Sequence, residues 1–263
     1  MKIKKRLGQH FLAEHSSIRR IVDVVGIEAD DLVVEIGPGQ GALTGLLIDR
    51  ARQVVAIEID DALSKVLASQ FGARIEIISE DVLQVNLPNL VNDYGSDKAI
   101  LVGNLPYQIT GALIRQIISA RNVWKRAVIM VQREVGQRMV APPGTKTYGV
   151  LSIVTQVHCV ATQLFDLPPS HFYPEPKVYS SVLLLDFETD PGFDIVDENA
   201  LFRVVRMAFQ QRRKMVRNAL SGVADSDVLE RAGIDGRARP ETIRIEGFER
   251  ICRAMIRQGG RRG

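Results

Sequence analysis

Between residues 32 and 132 the hydrophobic pattern alternates between two periods. Short, mainly apolar runs fall at 32–36, 54–59, 75–78, 99–102 and 127–131. A strand with one wet face alternates apolar and polar side chains, so mainly apolar runs of this length predict strands buried on both faces. Residues 43–51 and 62–71 leave room for helices of a few turns between them. Strands alternating with helices predict an α/β fold with a parallel sheet covered on both sides. After Tyr148 come the apolar stretch 150–160, a Pro-rich loop from Leu167 to Pro176 and the strand-like run 181–187. They predict two late strands joined by that loop, an antiparallel pair on the sheet edge. Composition shifts at Asp190-Pro191-Gly192, and helical periodicity resumes near Leu201. The expected division is therefore a large α/β domain over 1–195 and a small helical domain over 196–263. No internal repeat or low-complexity tract interrupts this pattern.

Length and composition narrow the class. A chain of 263 residues buries a sizeable core, and one large domain with an appendage accounts for it better than two equal halves. No apolar run approaches the ~18–20 residues of a membrane span, and Met1-Lys2-Ile3-Lys4-Lys5-Arg6 has no signal-peptide apolar stretch behind it. A cytoplasmic location without membrane association is the expectation. Cys159 and Cys252 lie far apart, each beside apolar neighbours and without metal-ligand spacing to a histidine. They read as buried free thiols, and no metal site is expected.

The net charge of +3 conceals an asymmetry: residues 201–263 hold 15 Lys and Arg against 7 Asp and Glu, and the remainder holds 19 against 24. A basic lobe beside an acidic body points to a polyanionic partner. Within the lobe, 201–220 reads as one helix carrying Arg203, Arg206, Arg212, Arg213, Lys214 and Arg217 with no acid among them. Helical spacing puts Arg206, Arg213 and Arg217 on one face, suited to phosphate contacts that add affinity but little sequence information. A solvated basic surface is the plainer alternative.

The polar residues of the first half collect at strand ends. Glu35 precedes a glycine-rich turn, Gly37-Pro38-Gly39-Gln40-Gly41, while Glu58, Asp81 and Asn104 close the next three strands. Ligands in open α/β sheets bind at these carboxyl ends, and glycines there let backbone approach them closely. The spacing through Ala42 also fits a nicotinamide fingerprint, with Glu58 as its ribose acid. The glycines alone therefore leave the cofactor open. Asn104-Leu105-Pro106-Tyr107 suits a planar base bearing an exocyclic amine. The Asn amide oxygen and a neighbouring carbonyl accept the two amine protons, Pro106 stiffens the turn, and Tyr107 offers a ring face. An ordinary strand-ending turn is the alternative.

With these residues, the chain resembles the small-subunit ribosomal RNA adenine N6,N6-dimethyltransferases (KsgA-type), class I S-adenosylmethionine-dependent enzymes with a Rossmann-like sheet. The resemblance runs over almost the full length: Lys5-Arg6-Leu7-Gly8-Gln9-His10-Phe11-Leu12, Glu35 to Gly41, Glu58, Asp81, Asn104 to Tyr107, Gln132-Arg133-Glu134, Tyr148 to Ser152, Phe172 to Val178, and Gln211 to Lys214. It implies S-adenosylmethionine as cofactor, with His10 and Leu12 over its methionine end, Gly37 and its neighbours, including Gly39, below, Glu58 on the ribose and Asp81 on the adenine amine. The family usually has Asn where this chain has His10. It further implies that Asn104 and the Leu105 carbonyl hold the target amine, with Tyr107 and Phe172 sandwiching the base; core packing is the other reading of Phe172. The implied partner is small-subunit rRNA in a pre-ribosomal particle, two adjacent adenosines being dimethylated during ribosome biogenesis, and no obligate protein partner is indicated. Similar competing classes are the erythromycin-resistance methyltransferases of large-subunit rRNA and assembly or transcription factors that use this fold mainly for binding.

Overall fold

A computed structural model of the protein describes residues 9–259, so Lys5-Arg6-Leu7-Gly8 lie outside the described residues. The strands are β1 Phe11–Leu12, β2 Leu32–Ile36, β3 Gln53–Ile57, β4 Glu76–Ile78, β5 Ala99–Asn104, β6 Trp124–Gln132, β7 Val160–Leu167, β8 Phe172–Tyr173 and β9 Ser180–Asp186. Seven form one sheet in the order β4-β3-β2-β5-β6-β9-β7. From β4 to β6 all neighbours are parallel; β9 is antiparallel to both β6 and β7. The α/β expectation and the antiparallel pair at the edge are both borne out. Every residue of β2 is buried, which is why its sequence runs without polar alternation.

The first unit contains the described residues through Gly136 together with Cys159–Thr189. Its helices are α1 His15–Val25, α2 Thr44–Ile48, α3 Asp61–Phe71, α4 Leu87–Asp93 and α5 Thr110–Ser119, and α6 Arg133–Met139 begins there. From β2 the chain winds outward to β3 and β4, then returns to β5 on the other side of β2. This reversal opens a crevice at the carboxyl ends of β2 and β5. Gly103 permits the two strands to close below it: a Cβ there would stand 2.8 Å from the Ile36 carbonyl oxygen.

The second unit is built from two stretches, Gln137–His158 and the described residues from Asp190 onward. The division thus differs from a single boundary at 195/196. Its helices are α7 Val150–His158, α8 Glu198–Gln210, α9 Val216–Ala219, α10 Ser226–Arg231 and α11 Ile245–Gly259. Leu201, Val204, Val205 and Ala208 line one face of α8 and meet Tyr148, Ile153, Phe248 and Ile251 in a separate core. Two expectations are corrected here. The stretch 150–160 is mostly the helix α7, with Ile153 and Val157 buried, and its strand starts only at Val160. Short apolar runs do not distinguish helix from strand by period alone. The expected helix over 201–220 is two helices: α8 closes at Gln211, whose amide donates to the Ala208 carbonyl at 3.3 Å, and the first amides of α9, Val216 and Arg217, donate to the carbonyls of Ala238 (2.7 Å) and Gly236 (3.1 Å). Arg206 therefore stands on α8, Arg212, Arg213 and Lys214 in the turn, and Arg217 on α9, so the shared helical face is not formed.

Cys159 and Cys252 are buried free thiols, and burial pushes each up to about 12, leaving neither poised as a nucleophile.

Candidate active site

One pocket in the first unit is lined by residues from the ends of β2, β3 and β5, from the segment after β4 and from the N-terminal stretch, among them His10, Gly37, Glu58, Asp81, Asn104 and Tyr107. It lies where the sheet reverses, as the strand-end residues predict.

At its floor, the glycine turn is held by an acid. Gly39 has φ +60°, and a Cβ there would meet the Phe11 ring at 2.8 Å, so the position needs both a left-handed backbone and an absent side chain. Its amide donates to Glu58 Oε2 at 3.1 Å, and the Asp60 amide donates to Glu58 Oε1 at 2.9 Å. Glu58 is 5% exposed. Burial raises its carboxyl above the usual range, and the backbone hydrogen bonds oppose that rise. The Ile59 amide adds a third backbone hydrogen bond to this carboxylate, which keeps acceptor capacity for a ligand hydroxyl.

Glu35 lines the same pocket and accepts from Thr44 Oγ1 at 2.7 Å. Its complete burial is the main cause that pushes it up to about 7, with the nearby Glu58 charge adding to it and the Thr44 hydroxyl opposing. Asp81 caps the turn after β4 by accepting from the Leu83 amide at 3.0 Å and is half-buried at the pocket wall. Leu12, 7% exposed, and Ile59, 50% exposed, supply apolar lining.

The stretch Asn104-Leu105-Pro106-Tyr107 closes the other end. Leu105 is fully buried, and its amide continues the ladder to the Met130 carbonyl at 3.0 Å. The Pro106 carbonyl is engaged by Thr110 Oγ1 at 2.8 Å and the Ile109 amide at 3.2 Å. Asn104 Nδ2 donates to the His10 carbonyl at 2.8 Å, leaving the amide oxygen as acceptor. The Tyr107 hydroxyl shares a 2.7 Å hydrogen bond with Ser180 Oγ; burial raises this phenol, the bond to Ser180 opposing. His10 stacks on the Tyr107 ring with centroids 5.6 Å apart at 28°. A carbonyl only accepts, so the 2.7 Å contact of His10 Nδ1 with the Pro174 oxygen fixes the proton on Nδ1.

Phe172 is placed differently from the sandwich reading: it is 2% exposed, inside the apolar cluster with Leu12, and is not among the pocket-lining residues. Core packing is the role the structure gives it. Arg212 also departs from expectation: its Nε lies 2.7 Å from Glu241 Oε2 and its terminal nitrogen donates to the Thr145 carbonyl at 3.2 Å, which makes it an internal tie of the second unit. Arg206, Arg213, Lys214 and Arg217 are exposed. The sequence pattern missed Phe11, Thr44 and Ser180. Phe11 carried a signal, being inside the N-terminal motif; Thr44 and Ser180 carried none, because their roles depend on partners distant in sequence or on another element.

Among the described residues no helix is long and apolar enough to cross a membrane. The sequence profile described as "Ribosomal RNA adenine dimethylase" matches residues 1–256. A relative in Geobacter sulfurreducens, "Ribosomal RNA small subunit methyltransferase A", is 38% identical, covering 99% of this chain and 98% of its own. A dimethyladenosine transferase from Plasmodium falciparum superposes with TM-score 0.78 at 25% identity, covering 95% of this chain and 98% of that one. The 23S rRNA methyltransferase ErmE superposes with TM-score 0.75 at 26% identity, covering 94% and 99%. A profile match across nearly every residue, joined to a pocket built from the motifs that carry the resemblance, establishes that the chain belongs to the ribosomal RNA adenine dimethylase family.

Proposed function

We propose that this protein transfers methyl groups from S-adenosylmethionine to the N6 amine of adenines in small-subunit rRNA. The observation that carries the reading is the orientation of Asn104: with Nδ2 tied to the His10 carbonyl, the side chain presents an acceptor, which an exocyclic amine requires. The Leu105 carbonyl supplies the second acceptor, since that of Pro106 is already engaged. Two acceptors on the amine protons orient the nitrogen lone pair, and the Tyr107 ring supports one face of the base.

The residues present fit the cofactor. The pocket is continuous from Glu58 and Asp81, past the glycine turn, to Asn104 and Tyr107. Glu58 would hold the ribose hydroxyls, Asp81 and the apolar Ile59 edge would hold the adenine, and the turn around Gly37 and Gly39, with His10 and Leu12, would enclose the methionine end. When bound, S-adenosylmethionine supplies a methyl already activated on a sulfonium, so the chain needs no strong base. Its task is alignment.

The exposed Arg206, Arg213, Lys214 and Arg217 act as phosphate contacts of the second unit, and the small-subunit particle is the partner. The similarity to the Geobacter sulfurreducens relative, named for the small subunit and 38% identical, supports that choice over that of ErmE, named for 23S rRNA and 26% identical. The deciding assay uses labelled S-adenosylmethionine with undermethylated small subunits, naked small-subunit rRNA, large-subunit rRNA and DNA in parallel. Label in N6,N6-dimethyladenosine of the small-subunit arms is expected; label confined to large-subunit RNA overturns the substrate assignment.

A further inference from the structure

Two large aromatic side chains of the first unit stand in solvent beside the amine-gripping motif. Tyr173 is 65% exposed and Tyr179 is 44% exposed. Neither belongs to the cofactor pocket, and neither gains a core by its position, although both have well-fixed backbones. Tyr173 is paired with Phe11 in the β1–β8 ladder. The Tyr179 carbonyl accepts from the Arg133 amide at 2.9 Å.

Both are linked to the target end of the pocket through their chain neighbours. Pro174, after Tyr173, accepts from the His10 ring that stacks on Tyr107. Ser180, after Tyr179, shares its hydroxyl hydrogen bond with Tyr107 itself. The Arg133 guanidinium lies 5.0 Å over the Tyr179 ring, and Lys177 is exposed between the tyrosines, with Glu175 the intervening acid.

An adenine enters such a pocket only after leaving its stack, and its neighbours in the strand lose a stacking partner at the same moment. Aromatic rings on a fixed backbone at the pocket rim replace that partner at low entropic cost, and cations beside them suit the phosphates between the bases. We propose that Tyr173 and Tyr179 form a stacking platform for the nucleobases next to the target adenine in single-stranded RNA, with Arg133 and Lys177 contacting the adjoining phosphates. This deepens the methyltransferase reading and rests on it for the identity of the base in the pocket.

The platform predicts affinity that depends on neighbouring bases and tolerates their sequence. The probes are an oligoadenylate of about nine nucleotides and an oligomer of equal length with one central adenosine flanked by abasic residues, which keeps the phosphates. Titrations use the full-length wild type, Y173A/Y179A and Y173F/Y179F. The wild type and the Phe variant should bind the full oligomer about tenfold or more tighter than the abasic one, and the Ala variant should lose that difference. Cofactor affinity by calorimetry should be the same in all three, which reports an intact fold. An Ala variant that retains the difference overturns the platform, as does a wild type indifferent to the neighbouring bases. Methylation of undermethylated small subunits by the wild type is scored separately: its absence counts against the proposed reaction, whereas normal methylation with unchanged RNA affinity in the Ala variant counts against the platform alone.

Discussion

The Asn104 side-chain nitrogen donates to the main-chain oxygen of His10 across 2.8 Å, so a residue at the end of β5 is oriented by one 94 positions earlier. The amide has a single acceptor atom, and this bond determines that the acceptor is the end left for a ligand. Because the His10 partner is a backbone atom, the orientation does not depend on the identity of the side chain there. That explains how this chain accommodates His10 where the family usually has Asn.

Asn104→Ala should lower the single-turnover methylation rate by about 10²-fold, the cost of a misplaced nucleophile, while cofactor and RNA affinities change little. Rapid-quench methylation with calorimetry on the same variant checks this. A variant transferring methyl groups at the wild-type rate removes Asn104 from the chemistry.

Glu58→Ala should weaken S-adenosylmethionine binding by about 1.5–3 kcal/mol, the worth of hydrogen bonds to a charged group, with RNA affinity unchanged. The variant also loses the acceptor of the Gly39 amide. Gly39→Ala should weaken the cofactor too, because its Cβ would displace the Phe11 ring and its left-handed backbone costs about 1–2 kcal/mol. Calorimetry of both variants tests whether turn and acid act as one unit; full cofactor affinity in Gly39→Ala would contradict the required close approach.

The pH dependence of stability should carry a mark of Glu35. Its folded value, up to about 7, lies above that of an unfolded Glu. The stability from its bound proton is thus fully present below the unfolded value, near 4.5, and is lost as pH rises towards 7. Glu35→Gln mimics the protonated acid and still accepts from Thr44. It should gain stability relative to wild type progressively across that window, reaching at most about 3 kcal/mol above it. Urea unfolding from pH 4 to pH 8 measures the difference, and a constant gap between the two proteins would remove Glu35 as its source.

Arg212 and Arg213 are adjacent and should behave oppositely. Arg213→Ala should lower the magnitude of the salt slope of RNA binding by about one unit. Arg212→Ala should leave that slope alone and cost about 1 kcal/mol of stability, since it removes the bonds to Glu241 and Thr145. Titrations at several salt concentrations, with thermal unfolding, separate the two.

The sheet was legible because β2, β3 and β5 are buried on both faces and display that burial as mainly apolar runs. The pocket-lining residues Glu58, Asp81 and Asn104 were legible because strand ends are where such sheets bind. What escaped depends on long-range partners. The end of α8 is marked by neither Gly nor Pro, and the start of α9 is held by the Ala238 and Gly236 carbonyls, which accept from the Val216 and Arg217 amides. Arg212 reads as one more cation until Glu241 is brought beside it. Phe172 sits in a motif that invites a binding role, yet its place in the core with Leu12 follows from the β1–β8 pairing, which joins segments 160 residues apart.

The second core draws Tyr148, Ile153 and Val157 from one stretch of chain and Leu201, Phe248 and Ile251 from another, with β7, β8 and β9 encoded between them. The helical unit is therefore not a heritable cassette. A genetic crossover after Thr189 would deliver α8 to α11 into a recipient whose α7 had been shaped against other partners, and the mismatch would fall on fully buried side chains. Exchange of this unit among relatives requires two coordinated replacements, so recombination within the family should leave the stretch before β7 and the C-terminal stretch with a common ancestry.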